Sequence, residues 1–469
     1  MNYPFWSVPH IGSGWVIGII AIFHIMISHF AVGGGLYLPM AERKALREGR
    51  KDWLETIKRH SRFFLVLTGV FGAVSGVGIW FAIGLAHPEA TSTLIHNFVF
   101  GWAIEWVFFM VELSTAAVYY YTWGRISDRL HLMVGWVYAV TSFLTLVIIN
   151  GILAFMLTPG DSWMAVAGTG QESSRFWQAF FNPTYWPNLF MRTGVCISLA
   201  GIWALVTCSR INGDTHPALK TDLVRWSAKW LLPTFIALPF ILAWYLFQMP
   251  ESQRVLLSLG MSTIGPGVFA QVTRTVIVNI VASATIVGVV YFLAWRSPRD
   301  FNFGSALAVL FLGLIATASG EYTREMLRKP YVIGRHMFSN GVRTSAVAGF
   351  NQNGYLTKSL WTSSTGNPVL AQGEAMFRGQ CLSCHTKDAY RPMKTLLAGR
   401  NREAIGNLLA ILHDYKPDSP YHAFMPPLVG KTEEISALGD YLVTLVLPIE
   451  PVAPATVPAA ASKPVAAKP

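Results

Sequence analysis

Eight apolar runs, most of them about 20 residues or longer, constrain this chain more than any other feature. They fall near residues 14–39, 63–86, 98–123, 132–157, 188–209, 231–249, 273–295 and 304–320. A backbone crossing lipid must satisfy its N–H and C=O groups internally, so runs of this kind specify transmembrane helices. The eighth run is short, and the expectation is that it tilts or ends in a polar cavity. Only 13% of the 469 residues are charged, about half the share of a soluble protein. The expected fold class is all-α: a polytopic membrane helix bundle of about eight spans, plus a small α-helical domain after the last of them. No internal repeat is apparent.

The formal net charge of +11 would suit a nucleic-acid binder. Its distribution argues for a membrane orientation instead. The first loop carries Arg43, Lys44, Arg47, Arg50, Lys51, Lys58, Arg59 and Arg62. The third adds Arg125 and Arg129, the fifth Arg210, Lys220, Arg225 and Lys229, and the seventh Arg296 and Arg299. The second, fourth and sixth loops hold only Arg175 and Arg254. Basic loops stay cytoplasmic, so both termini are expected outside, at the inner membrane of a bacterium. Met1 to Gly14 has no basic n-region, and the first apolar run is too long for a cleavable signal.

The most specific short motif is Cys381-Leu382-Ser383-Cys384-His385, the attachment pattern of a c-type haem. Two thiols form thioethers, and the adjacent imidazole binds the iron from one side. Met425, in Phe424-Met425-Pro426-Pro427, is the candidate for the second axial position. A zinc-binding or redox CxxC is the competing reading, but no second CxxC exists to complete a zinc site. Haem c is attached on the outer side of membranes, where the loop charges independently put this segment. The two other cysteines, Cys196 and Cys208, lie in an apolar run and read as small buried hydrophobes. The expected division is a membrane domain over 1–320, a polar linker over 321–367, a cytochrome c domain over 368–448 and a disordered Pro/Ala tail over 449–469. Within the cytochrome domain, helices are expected from Ala371 to Gly379 and from Thr432 to Val446. Glu433 and Glu434 start the second.

Ionisable groups inside spans are costly, so each calls for an explanation. His24 sits midway along the first run, as an axial haem ligand or as a hydrogen-bonded core residue. His29, five residues on, faces a different direction and is the weaker candidate. Glu105 and Glu112 are seven residues apart on the third run, so both carboxylates share one helix face. Such a pair suits proton transfer or haem ligation, and a structural pair bonded to neighbouring hydroxyls is the alternative. Glu321, at the end of the eighth run, stands where a charge is either functional or simply solvated.

Phe23-His24 with Gly33-Gly34-Gly35, Ile104-Glu105 through Glu112-Leu113-Ser114-Thr115, Asn150-Gly151 before Thr158-Pro159-Gly160, and Glu321-Tyr322 ahead of Arg328-Lys329-Pro330-Tyr331 resemble subunit I of cytochrome bd quinol oxidases. The resemblance covers roughly residues 10–340. It implies that His24 and Glu321 each ligate an iron of paired high-spin haems that reduce oxygen, with Glu105 and Glu112 feeding protons to them. The C-terminal part resembles a class I cytochrome c, which the standard subunit lacks. Arg192 stands where the family has the histidine of its low-spin haem, and that haem's methionine falls near Val276, beside Arg274. The long outer loop used in quinol oxidation is reduced to Pro250–Val272, and the family's Gly-Arg-Gln-Pro-Trp to Leu327-Arg328-Lys329-Pro330-Tyr331.

Two functions follow. One is a haem c-linked oxidoreductase that passes electrons to haem b, or haem d, in the membrane and reduces a small acceptor such as oxygen. The other is a non-catalytic electron-transfer or anchor subunit of a larger respiratory complex. Expected partners are a second membrane subunit, a protein electron donor or acceptor, membrane lipid and, on family grounds, quinol; nucleic acid is not expected.

Overall fold

A computed structural model describes residues 6–251, 253–255, 270–359 and 366–446. The Pro/Ala tail and most of the sixth loop lie outside the described residues. Among the described residues, eight helices are long and apolar enough to cross a membrane: Ser13–Arg47, Lys51–Ala86, Pro88–Tyr121, Asp128–Leu157, Tyr185–Cys208, Pro217–Gln248, Gln271–Arg296 and Phe303–Leu327. Their number and order match the expected spans. Their outward surfaces carry large apolar side chains, such as Val77 at 70% and Phe240 at 76% exposed, which is the pattern of a lipid-facing wall.

The first span is the hub. It packs against the second, fourth, fifth and eighth. Its Gly33-Gly34-Gly35 triplet explains how. A methyl on Gly33 would collide with the Cys196 carbonyl of the fifth span, and one on Gly35 with the Tyr138 ring of the fourth. A methyl on Gly34 would meet Phe64 of the second span at 2.8 Å. Small residues let three helices close on one stretch of backbone. Toward the C-terminal end of this span, Glu42 is buried between His131 Nδ1 and the Tyr119 hydroxyl, both 2.7 Å away.

Two spans depart from regular α-helix beside candidate residues. The second contains a π-helical turn over Leu67–Gly72, just before Ser75. The third is kinked at Phe98, seven residues ahead of Glu105. The eighth corrects the sequence expectation: it is neither short nor finished at residue 320, but runs 25 residues to Leu327. Hydropathy missed the last turns because they are charged. Glu321 pairs with Arg324 and Glu325 with Arg328, each three residues on, and these ion pairs carry the helix past its apolar stretch.

After this span comes a small antiparallel hairpin, Tyr331–Ile333 with Met337–Phe338. The segment expected to be a plain polar linker thus begins as helix and continues as a folded hairpin. Gly334 N–H donates to the Met156 carbonyl, fixing the hairpin to the end of the fourth span. Helices Pro368–Gln380, Arg402–Asp414 and Thr432–Val446 then enclose an apolar core around Met376, Phe377, Ile405, Val429 and Leu438. Asn367 and Asn401 cap the first two by accepting from backbone N–H groups. The middle helix of the three was not read from the sequence.

Candidate functional site

His24 lies on the first span opposite Ser75 of the second, with Nδ1 3.0 Å from the serine Oγ. The serine hydroxyl sits 2.6 Å from the Phe71 carbonyl and 3.1 Å from that of Gly72. Its single proton is spent on those acceptors, so Nδ1 is the donor of the His24–Ser75 bond and Nε2 keeps its lone pair. That tautomer is the one a haem iron requires. Glycine at position 76 keeps the ring's other flank open: a methyl there would stand 3.3 Å from His24 Cε1. The residues present therefore fit an axial ligand. Ser75 was not among the sequence candidates. The signal that would have found it is a lone serine within the glycine-rich stretch of a neighbouring span.

Glu321 does not stand free. Its Oε2 accepts from Arg324 Nε at 2.9 Å and lies 2.8 Å from Nη2, leaving Oε1 uncommitted. His29, only 6% exposed, faces the charges of Arg192 and Glu321. The structure thus brings His29, which the sequence ranks lower, toward Glu321. Arg192 is also 6% exposed, and its Nε has no hydrogen-bond partner among the described residues. A guanidinium has no lone pair to offer iron, and Val276 has no ligating atom. At the two positions where the resemblance would put low-spin haem ligands, the residues present therefore do not fit that haem.

Glu112 is buried and accepts from the Tyr138 hydroxyl at 2.8 Å. The same hydroxyl is 3.2 Å from the Ala31 carbonyl, so the fourth span ties Glu112 to the first. Glu105 is half-buried and has no hydrogen-bond partner among the described residues. The two carboxylates therefore differ: one is held by a hydrogen bond, and the other has none among the described residues.

The C-terminal motif is built on the end of helix Pro368–Gln380. Cys384 and His385 both turn back their N–H groups to the Cys381 carbonyl, at 3.1 and 2.9 Å. His385 Nδ1 is 3.1 Å from the Arg391 carbonyl. Since a carbonyl only accepts, Nδ1 carries the proton and Nε2 is again the free base, as an axial ligand needs. Burial pushes the His385 pKa down to about 4, so the imidazole is neutral. Burial also pushes the Cys381 thiol up to about 12. At Cys384 burial opposes ionisation, but Lys329 and Arg391 outweigh it and hold the thiol below its usual range. Gln380, immediately before the motif, clamps the segment that carries Met425. Its Nε2 donates to the Val429 carbonyl at 2.7 Å, and its Oε1 accepts from Val429 N–H at 2.9 Å. Met425 is half-buried in the core that also takes in Cys381 and Leu382. Gln380 and Arg391 were both missed by sequence reasoning, although each lies within six residues of the motif.

The fold is that of a mostly helical, multi-pass membrane bundle. Residues 13–244 match the family model of cytochrome bd terminal oxidase subunit I, which takes in the first span through most of the sixth. Among solved structures, the bd oxidase from Geobacillus thermodenitrificans is similar with a TM-score of 0.59. That similarity covers 68% of this chain and 87% of that one at 16% identity, a likeness of fold. No curated protein matches the sequence.

Proposed function

We propose that this protein is a respiratory membrane oxidoreductase of bd type whose electrons enter through its own covalent haem c. The observation that carries the reading is the His385 site. The attachment motif, the Nδ1-to-carbonyl bond and the Gln380 clamp on the Met425 segment agree on a haem ligand sphere, in a segment joined to a bd-like membrane bundle. The proposed division is a membrane unit ending at Leu327 and a cytochrome c unit over 368–446, on the periplasmic side.

Haem c at Cys381, Cys384, His385 and Met425 would carry single electrons, and haem b or haem d in the bundle would deliver them to a small acceptor such as oxygen. The protein's own part is to bind, orient and supply protons. His24 presents Nε2 because Ser75 fixes its tautomer. Glu321 presents Oε1 because Arg324 engages its other oxygen. Glu112, steadied by Tyr138, hands protons toward Glu105 on the same helix face. Arg192 at the low-spin position and the short sixth loop favour a protein donor over quinol. A second membrane subunit is the natural occupant of part of the apolar outer wall.

The test is a pyridine haemochrome count with turnover on purified protein. One haem c and at least one further haem per chain are expected, with oxygen consumption driven by a one-electron donor. No turnover with oxygen or nitric oxide from a haem c-reduced protein overturns the catalytic reading. Six-coordinate haems that bind no carbon monoxide would then favour an electron-transfer subunit.

A further inference from the structure

Among the contacts that join the bd-like bundle to the haem-attachment segment, those of Arg391 reach both sides. Arg391 offers its carbonyl to His385 Nδ1 at 3.1 Å. Its guanidinium reaches the other way, with Nη2 3.5 Å from the sulfur of Met326 in the last turn of the eighth span. Met326 is buried, and the Tyr322 side chain lies beside the same guanidinium. Tyr322 is the residue after Glu321.

Arg391 does this with a backbone that disfavours arginine. Its φ is +47°, in the left-handed region, where the Cβ of a non-glycine residue crowds its own backbone. The turn is over-determined around it: Thr386 N–H and hydroxyl both donate to the Tyr390 carbonyl, at 3.0 and 2.9 Å. Tyr390 packs edge-on against Trp15 of the first span at 5.8 Å, and Trp15 in turn lies 6.5 Å from Tyr322. The Met425 side of the site makes a second contact: Ala423 packs on the cluster of Met326 and Leu327. Both flanks of the motif therefore rest on the end of the span that carries Glu321. Strain held at a contact between two functional units signals a selected geometry.

We propose that Arg391 is the positioning residue for electron transfer between the two units, its carbonyl setting the His385 tautomer and its guanidinium seating the loop on Met326 beside Tyr322. The inference rests on the haem c reading above. The step it serves moves one electron and makes or breaks no bond: the C-terminal centre is oxidised, a membrane centre is reduced, and an external one-electron reductant restores the first.

The experiment uses the full-length protein with its haems. Arg391→Asn and Arg391→Gly both tolerate positive φ and keep the carbonyl, but lose the reach to Met326. Met326→Leu removes the sulfur acceptor and leaves the loop untouched. Covalent haem content, the haem c spectrum and its midpoint potential are expected to stay as in the unsubstituted protein. The rate at which electrons pass from photoreduced haem c to the membrane haems is expected to fall by about tenfold or more in the Arg391 variants, as for other small losses of alignment. Met326→Leu is expected to give a smaller loss that does not add to theirs. Unchanged transfer with haem c intact overturns this inference alone. Absence of covalent haem from the unsubstituted protein overturns both it and the function it rests on.

Discussion

At the scale of single residues, the candidate sites depend on where one proton sits. His24 and His385 lie in unrelated parts of the chain, yet each has Nδ1 facing an acceptor that has no proton left to give. Replacing His24 with Ala should therefore abolish the membrane-haem signal in a reduced-minus-oxidised spectrum while leaving the haem c band intact. Ser75→Ala should retain the membrane haem but shift its spectrum, because the imidazole loses its orienting partner. Equal haem content and spectra in both variants would remove His24 from the site. Gln380 supports a second prediction. Gln380→Ala strips partners from the Val429 N–H and C=O, at about 1–3 kcal/mol for each buried group left unpaired. The midpoint of thermal bleaching of haem c should fall, and its potential with it, as the Met425 segment loosens. His24, Glu112, Cys381, Cys384 and His385 stand out as candidates in the sequence because each is a costly or patterned residue type in its surroundings. Ser75, Tyr138, Gln380 and Arg391 do not, because their role comes from a partner 26 or more residues away or, for Arg391, from a backbone angle.

At the scale of elements, periodicity and hydropathy locate helices but cannot say where charged turns extend them. The eighth span shows the difference. Its last turns hold Glu321, Arg324, Glu325 and Arg328, which read as a loop by hydropathy but pair along one helix. The glycine triplet shows the reverse case, in which the sequence feature was plain and its cause was not. Gly33 is where the backbone of the first span meets the Cys196 carbonyl of the fifth, whereas Gly18 on the same helix has open space around it. Gly33→Ala should cost about 1–3 kcal/mol through overpacking and lower the yield and the aggregation temperature of detergent-solubilised protein. Gly18→Ala should change neither. Equal behaviour of the two variants would contradict the close packing of the first span on the fifth.

At the scale of the whole molecule, two independent lines support the proposed position of the C-terminal segment on the outer side of the membrane. The loop charges do so by the concentration of Lys and Arg on the other side. The structure does so by contact: Tyr390 packs on Trp15 at the start of the first span, Gly334 bonds Met156 at the end of the fourth, and Arg391 reaches Met326 at the end of the eighth. Gln253 Nε2 adds a bond to the Leu157 carbonyl from beyond the sixth span. The opposite end holds Arg50, which bonds both Asp52 and Asp222 across the first and fifth loops. Single cysteines at exposed sites test this arrangement. Gln171→Cys in the fourth loop and Lys416→Cys beyond helix Arg402–Asp414 should label with a membrane-impermeant maleimide in intact cells. Asp214→Cys in the fifth loop should label only after permeabilisation. The native background is small, because Cys196 and Cys208 are buried and thioethers would block Cys381 and Cys384. The reverse pattern would put the haem motif on the side where covalent haem is not attached, and would remove the electron entrance from the periplasm. Labelling of Lys416→Cys together with Asp214→Cys in intact cells would separate the C-terminal segment from the bundle contacts that join it to the eighth span.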